Sequence, residues 1–367
     1  MADIQYCAKC HIIKSNHPGI TFDQDGVCNL CNMEIPEFLF KNRELAQKNL
    51  QEFINSPSDN TRSYDCMSML SGGKDSTYIL YKMLKEKKKK ILAYTYNIPY
   101  ESKDALKNID RILDRLNVDH IYLTNKIKYK KMMKFTFANP ESTASPQYQA
   151  EKHPCILCSS YMIINACLLA FRMNIPYILY CADPIQSITF ISDTKTLIND
   201  FVAKMGEEVS FYLFGEQLNI LQKKDEKELP KIIFPYVGSA YNPTAIIAEL
   251  KKAGLYESNP EKTHCSLWGL INYYAYKHYD CSFYTLEYAT QIRQAPDKFK
   301  REAVIQFDRE LKNAILHIAT KKEIGEEEKE RIRQIAKSIT GDLATEYMCE
   351  NIISIGKIAQ ELAIDLD

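Results

Sequence analysis

Seven consecutive residues, Ser71-Gly72-Gly73-Lys74-Asp75-Ser76-Thr77, restrict this chain more than any other stretch. A short apolar run over 64–70 precedes them, and Ile79, Leu80, Met83 and Leu84 follow at the spacing of one helical face. The pattern is strand, glycine turn, helix. Two glycines let the backbone turn tightly and approach an anion, successive N–H groups form a nest, and the helix start adds its positive end. Such a turn holds a phosphate chain. A Walker A loop needs Lys followed directly by Ser or Thr, whereas here Asp75 intervenes, so simple γ-phosphate hydrolysis is not the expected chemistry. The bland alternative is a Gly-Gly turn capped by serine.

The strand-and-helix pattern repeats. Strands are predicted over 91–96, 120–123 and 177–181, with helices through Leu106, Ile109, Ile112, Leu113 and Leu116 and over 159–173. Strands alternating with helices at this spacing make a Rossmann-like parallel sheet of the α/β class. Further helices are predicted over 243–254, 268–277, 300–320 and 326–339. The expected organisation is a four-cysteine module over 1–36, a linker helix and loop over 37–61, an α/β domain carrying the phosphate-type loop over 62–240 and a mostly helical region over 241–367. The Glu-rich run 326–331 reads as a solvated helix face.

Composition narrows the class further. Over 367 residues, 47 Lys plus Arg balance 47 Asp plus Glu, which argues against a large sequence-independent nucleic-acid footprint. No run reaches the ~18 to 20 consecutive apolar residues of a membrane span. The opening Met1-Ala2-Asp3-Ile4 does not read as a signal peptide, so a soluble, cytoplasmic protein is expected.

In a reducing compartment the 12 cysteines are to be read as metal ligands, reactive groups or small core residues rather than disulfides. Cys7, Cys10, Cys28 and Cys31 form CxxC, seventeen residues, CxxC. That is a structural zinc signature: each pair presents two thiolates from a tight turn, and four close a tetrahedron with no open position. Asp25-Gly26 supplies a turn dipeptide before the second pair, and the nearby His11 and His17 are not needed as ligands. Cys155 and Cys158 form a further CxxC before a predicted helix, with Cys265 much later. Cys66, Cys167, Cys181, Cys281 and Cys349 lie in apolar contexts and read as core residues.

The loop Ser71-Gly72-Gly73-Lys74-Asp75-Ser76 resembles the PP-loop of the ATP pyrophosphatase (adenine nucleotide α-hydrolase-like) superfamily, whose sheet is of the HUP type. The resemblance implies cleavage of ATP between its α and β phosphates with adenylylation of a substrate oxygen. It assigns the backbone of Gly72 and Gly73 and the hydroxyls of Ser71 and Ser76 to pyrophosphate, with Thr77 completing the binding loop. Lys74 would neutralise charge and Asp75 would hold Mg²⁺.

Other segments resemble the N-acetyl sugar amidotransferases: Pro18 to Asn29 after the first CxxC, Tyr64-Asp65-Cys66, Asn117-Val118-Asp119-His120, the Cys155 and Cys158 pair with its helix and Asn174-Ile175-Pro176, Phe234-Pro235-Tyr236, and the stretch from Glu287-Tyr288 to Ile292-Arg293 ending in Lys300-Arg301-Glu302-Ala303. The implied reaction turns the acetamido group of a nucleotide-linked or lipid-linked sugar into an acetamidino group for surface polysaccharide. Ammonia would come from a separate glutaminase partner, and assembly as a homodimer is left open. Stretches 126–149 and 183–229 cannot be placed on that family, and Cys181-Ala182-Asp183 lacks the glycine expected there by analogy.

The order of Cys155, Cys158 and Cys265 is also similar to the tRNA 2-thiolation enzymes, in which three cysteines hold a [4Fe-4S] cluster with one open iron. Either these three do the same here, or the pair is structural or redox-active and Cys265 a core residue. Under the sulfur-transfer reading the lysine runs 85–90 and 126–134, the second interleaved with Tyr129 and Phe135, would face tRNA. The alternative for both runs is a solvated lysine face.

Overall fold

A computed structural model of the protein describes residues 6–10, 20–32, 37–87, 89–138, 154–182, 193–237, 241–257, 265–279, 282, 301–319, 321, 323–340, 345–364 and 366. Of the sequence features above, His11, His17, Pro18, Cys281, Lys300 and stretches 139–149, 183–192 and 287–293 lie outside the described residues.

In chain order the elements are α1 (Asn29–Asn32), α2 (Glu37–Asn55), β1 (Cys66–Met69), α3 (Lys74–Lys82) running into a π turn (Met83–Lys87), β2 (Ile91–Tyr96), α4 (Lys103–Leu116), β3 (His120–Leu123), α5 (Lys126–Ala138), α6 (Pro154–Arg172) and β4 (Tyr177–Leu179). There follow α7 (Thr194–Met205), α8 (Glu207–Phe214), α9 (Glu216–Lys223), a 3₁₀ turn (Glu226–Glu228), β5 (Lys231–Ile233), α10 (Pro243–Lys252), α11 (Trp268–Tyr279), α12 (Arg301–Ala319), α13 (Glu326–Thr340), α14 (Thr345–Ile353) and α15 (Ile355–Leu362). They fall into two compact units. One comprises Ile35–Met132 and Leu157–His264, the other Met1–Glu34, Met133–Ile156 and Cys265–Asp367.

The first unit is built on five parallel strands in the order β3-β2-β1-β4-β5. All six residues of β2 are buried, as expected of a central strand covered on both faces. Ile91 and Ala93 join Leu50 and Phe53 of α2, Ile79 and Leu80 of α3, Ile109 and Ile112 of α4 and Ile246 and Leu250 of α10 in one apolar cluster. Tyr96 points the other way, meeting Tyr161 of α6 hydroxyl to hydroxyl at 2.9 Å with the rings edge-on. Helices thus lie on both sides of the sheet. Helix α2 is anchored to it by Phe53, whose ring centroid is 5.3 Å from that of Tyr177, and by Glu52, whose two oxygens accept from Lys231 at 2.7 and 2.8 Å.

The order of the strands reverses beside β1: β2 and β3 continue to one side, β4 and β5 to the other. Open parallel sheets bind ligands at the carboxyl ends of their strands where the order switches. The glycine turn, leaving the carboxyl end of β1, is at that point.

Tyr64 donates to Asp119 Oδ2 at 2.8 Å, joining the approach to β1 to the approach to β3. Lys89 and Lys90, part of a run that reads as solvated or RNA-facing, do neither. Lys89 is buried, with its ammonium on Ser56 and 5.1 Å from the centre of the Phe53 ring. Lys90 Nζ donates to the carbonyls of Asp59 and Arg62, each at 2.6 Å.

Helix α6 begins at Pro154, so the second CxxC lies inside the start of the helix rather than before it. Among the described helices it is the one long and apolar enough to cross a membrane, and 61% of its apolar window is buried in the protein. Tyr161, Ile163, Ile164, Ala166 and Cys167 are all buried, the pattern of a core helix.

In the second unit the helices α11 to α15 pack on one another. A Cβ on Gly269 would lie 2.2 Å from the carbonyl oxygen of Asn351, so glycine is what permits α11 and α14 to cross so closely.

Asp65, at the entry to β1, offers a pH test. Burial opposes its ionisation, but the Lys90 N–H, the Ser58 hydroxyl and the Asp59 N–H all donate to it, and its pKa is held below the ordinary value. A carboxyl with a depressed folded-state pKa stabilises the protein above the unfolded value and loses that contribution as pH falls through the folded one. Asp65→Asn is therefore expected to lower the urea midpoint at pH 7, the gap from wild type closing as pH drops below about 4. A gap that is constant between pH 7 and pH 3 would count against this account.

Candidate functional site

The turn after β1 is set by contacts to backbone. Gly72 has φ +71°, and a Cβ there would meet the Ala105 carbonyl oxygen at 2.1 Å. No side chain fits on either ground. Asn108 of α4, fully buried, donates to the Gly72 carbonyl at 2.9 Å. The Thr95 hydroxyl donates to the Leu70 carbonyl at 2.6 Å and, its proton being used there, accepts from His120 Nε2 at 2.9 Å. Burial lowers the His120 pKa, with Asp110 opposing, so the neutral ring is the form that fits.

Gly73 is the N-cap of α3 in an extended conformation, and no side chain caps the helix start. Its first N–H groups are left for an anion at the positive end of the helix. Ser71 and Ser76 lie hydroxyl to hydroxyl at 3.1 Å, and the Ser71 N–H donates to Ser76 Oγ at 3.2 Å. Thr77 is fully buried and its hydroxyl donates to the Gly73 carbonyl at 2.7 Å, so it pins the turn from below. Ser71 is exposed at the mouth.

Lys74 Nζ and Asp75 Oδ2 form an ion pair at 2.6 Å, both side chains half-buried. Two tyrosines from beyond β5 complete the surround. Tyr241 donates to Asp75 Oδ1 at 2.9 Å, and Tyr236 to the Asp75 main-chain carbonyl at 3.0 Å. Burial, with the charge of Asp75 next, pushes the Cys181 thiol well above its ordinary range, which suits a core residue rather than a nucleophile. Cys66 and Cys167 are fully buried and their thiols are pushed up by burial, whereas Cys181 is half-buried against the same apolar cluster. In the second unit Cys349 is buried.

The second unit carries a four-thiol group. The sulfurs of Cys7, Cys10, Cys28 and Cys31 all lie within 4.8 Å of one another, the first three buried. Cys7 and Cys31 are 3.7 Å apart and Cys10 and Cys28 3.5 Å. Tetrahedral zinc at ~2.3 Å from each sulfur puts them about 3.8 Å apart, so the cage fits that ion. The local sequence makes the cage. Phe22 and Cys28 bridge antiparallel across a turn closed by Asp23, whose Oδ1 accepts from the Asp25 and Val27 N–H groups, with Gly26 at φ +71°. The Ala8 N–H donates to the Gly26 carbonyl at 2.9 Å, docking the first pair on the second. Three N–H groups, of Lys9, Cys10 and Cys28, point at Cys7 Sγ. Such donors stabilise a thiolate. Hydrogen bonding to the Cys10 sulfur, and burial, push the Cys31 thiol up to about 12, and contacts with Cys10 and Cys31 raise Cys28 as well. Four sulfurs so crowded become thiolates together only around a cation.

Cys155 is exposed and Cys158 buried, one helical turn apart at the start of α6, and Cys158 Sγ lies 3.2 Å from the Tyr129 hydroxyl. Cys265 is half-buried, and its carbonyl accepts from Tyr347 at 3.0 Å. Tyr129 is itself fully buried and is no stacking platform. In the 126–134 run Lys128 donates to the Leu213 carbonyl at 2.7 Å, Lys131 Nζ sits 3.6 Å from the centre of the Tyr212 ring and Lys130 Nζ 5.9 Å from that of Tyr100, so at least three of its lysines are engaged.

Asn108, Tyr236 and Tyr241 are site residues that motif spacing does not single out. Tyr236 and Tyr241 follow the β-branched run Ile232-Ile233, which marks a strand end, and Asn242 before Pro243 marks a helix start.

No model of a known protein family matches the chain, and no curated protein does. Among solved structures it is similar to the U34-tRNA thiolase NcsA from Methanococcus maripaludis with its [4Fe-4S] cluster, at TM-score 0.35 and 13% identity over 82% of this chain and 90% of that one. It is also similar to NMN synthetase from Francisella tularensis, at TM-score 0.29 and 16% identity over 64% of this chain and 93% of that one. A further likeness is to glutamine-dependent NAD+ synthetase from Acinetobacter baumannii in complex with ADP, at TM-score 0.29 and 14% identity over 80% of this chain and 49% of that one.

Two outcomes follow. Cys7→Ser is expected to take bound zinc from about one per chain to near zero, with loss of soluble protein, as metal analysis would measure. Retention of full zinc would sink the four-thiolate cage. Gly72→Ala is expected to abolish nucleotide binding while the circular dichroism of the sheet unit survives; wild-type nucleotide affinity in that variant would contradict the close approach of Ala105.

Proposed function

We propose that this chain is an ATP-dependent amidotransferase forming AMP and pyrophosphate, which adenylylates an amide oxygen and installs nitrogen in its place. The acceptor is an N-acetylated sugar, nucleotide-linked or lipid-linked, and the product an acetamidino sugar for surface glycan. The observation that carries the reading is the uncapped start of α3 behind a side-chain-intolerant glycine turn, at the switch point of a parallel sheet, with one lysine and one aspartate at its mouth.

In this reading the N–H groups of Gly73, Lys74 and Asp75 hold the β and γ phosphates, and Ser71 adds its hydroxyl at the rim. Lys74 leaves Asp75 and pairs with phosphate. The Asp75 carboxylate, a hard oxygen donor at the mouth of the loop, is the residue to hold Mg²⁺, which when bound offsets charge on the departing pyrophosphate. The substrate amide oxygen attacks the α phosphorus and the bond to the β-phosphate oxygen breaks. Ammonia, released by a separate glutaminase, then adds to the activated carbon. The bond to AMP breaks, and the nitrogen loses its extra proton to water. The four-thiolate module plays a folding role and takes no part in the transfer.

One observation favours a second reading, sulfur transfer to tRNA or to a small-molecule amide: Cys155 and Cys158 share one face at the positive end of α6. Cys155, Cys158 and Cys265 would then hold a [4Fe-4S] cluster. Metal analysis of protein purified without oxygen separates the two. About one zinc and no iron supports nitrogen transfer; about four irons with a broad visible band supports sulfur transfer.

Asp75→Ala is expected to abolish ATP-dependent pyrophosphate release, a loss of at least ~100-fold, with an unchanged circular dichroism spectrum. Wild-type turnover in that variant would remove Asp75 from the mechanism.

A further inference from the structure

We propose that Tyr241 is a positioning residue for the loop carboxylate: its phenol holds Oδ1 of Asp75 so that Oδ2 stays directed into the loop when Lys74 leaves it for phosphate. The inference rests on the ATP reading above and deepens it.

The Asp75 carboxylate has two oxygens and, among the described residues, one partner on each. Lys74 Nζ takes Oδ2 at 2.6 Å and the Tyr241 hydroxyl takes Oδ1 at 2.9 Å. A lysine adjacent in sequence, with nothing opposing it, would draw the carboxylate into a pair using both oxygens, and an ammonium so held is lost to phosphate. The phenol prevents that. It is a neutral donor, so it orients the carboxylate without cancelling the charge a divalent cation needs.

Tyr241 is itself held from several directions. Its ring stands edge-on to that of Tyr236, 5.2 Å between centroids at 82°, and Tyr236 is buried in the apolar cluster beneath α3. Tyr236 in turn donates to the main-chain carbonyl of Asp75, so both tyrosines fasten the same residue, one by its backbone and one by its side chain. Immediately after Tyr241, Asn242 caps α10 by accepting from the Ala245 N–H at 3.1 Å, which fixes the backbone there. Lys74 Nζ lies 5.6 Å from the centre of the Tyr241 ring, within range of its negative face. The ring therefore supports the lysine while the hydroxyl supports the aspartate.

The division between the two tyrosines makes the test. ATP binding is followed by calorimetry while Mg²⁺ is titrated, and again in EDTA, for wild type, Tyr241→Phe, Tyr241→His and Tyr236→Phe. Tyr241→Phe keeps the ring and is expected to raise the Mg²⁺ concentration for half-maximal ATP binding roughly tenfold, as loss of one hydrogen bond to a charged group would. In EDTA its ATP affinity is expected to stay within about twofold of wild type. Tyr241→His, which retains a neutral ring donor, is expected to recover part of the shift. Tyr236→Phe loses a bond to the Asp75 backbone but leaves both carboxylate partners in place, so it is expected to lower the melting temperature and to shift the Mg²⁺ midpoint by clearly less than Tyr241→Phe. An unshifted midpoint in Tyr241→Phe overturns the proposal, and so does an equal shift in Tyr236→Phe or a His variant no better than Phe. Wild-type protein that binds no ATP at any Mg²⁺ concentration overturns the nucleotide reading and this inference together, whereas the other outcomes touch only Tyr241.

Discussion

The loop at the carboxyl end of β1 depends on one backbone contact, the approach of Gly72 to the first turn of α4. A Cβ at Gly72 would sit 2.1 Å from the Ala105 carbonyl oxygen, and Asn108, one turn further along α4, donates to the Gly72 carbonyl. These two contacts fix where the chain reverses. With Thr95 on the Leu70 carbonyl, Asn108 on the Gly72 carbonyl and Thr77 on the Gly73 carbonyl, three carbonyls of the turn are held by side chains. The N–H groups at the start of α3 are left without a side-chain cap. A rigid loop presents them to an anion without reorganisation at the moment of binding, which is what electrostatic stabilisation requires.

The same economy governs the charged groups around it. Lys74 and Asp75 neutralise each other in the resting arrangement, and the two tyrosines beyond β5 hold the aspartate by side chain and backbone. Elsewhere in the sheet unit lysines do structural work that their sequence context hides. Lys89 and Lys90 donate to main-chain oxygens of the 56–62 loop, and Asp65 accepts from the N–H groups on either side. In the other unit crowded thiols serve instead: four sulfurs close enough to share one ion, with three N–H groups aimed at one of them.

Legibility followed the local signal. Strands β2 and β3 are predicted over 91–96 and 120–123 and observed as Ile91–Tyr96 and His120–Leu123, because apolar runs between breakers identify themselves. Strand β5, Lys231–Ile233, is three residues long and is defined by its ladder to β4, a long-range pairing no window contains. Helix α5 is obscured by lysines that interrupt the apolar repeat, although Asn125, accepting from the Lys128 N–H, is a capping signal in plain view. In the 183–229 stretch, Gly206 and Gly215 at φ +82° and +67° punctuate three short helices. The second CxxC reads as a pre-helix pair, but Pro154 starts the helix and carries both cysteines into it.

What the amino-acid order determined by itself was the glycine turn and the four-cysteine cage, since each is a short-range object: conformational freedom at Gly72, and two thiol pairs on tight turns. It also determined the alternation of strands and helices from β1 to β3, through periodicity alone. Tertiary structure decided which strands are neighbours, and so that the turn lies where the strand order reverses. It decided too that Asn108, Tyr236 and Tyr241, distant in sequence, close around the turn, and that Lys89 is buried. The physical reason is the same in each case. A hydrogen bond between residues 36 or 166 positions apart is selected by packing of the elements that carry them, and nothing in the local chain encodes that proximity.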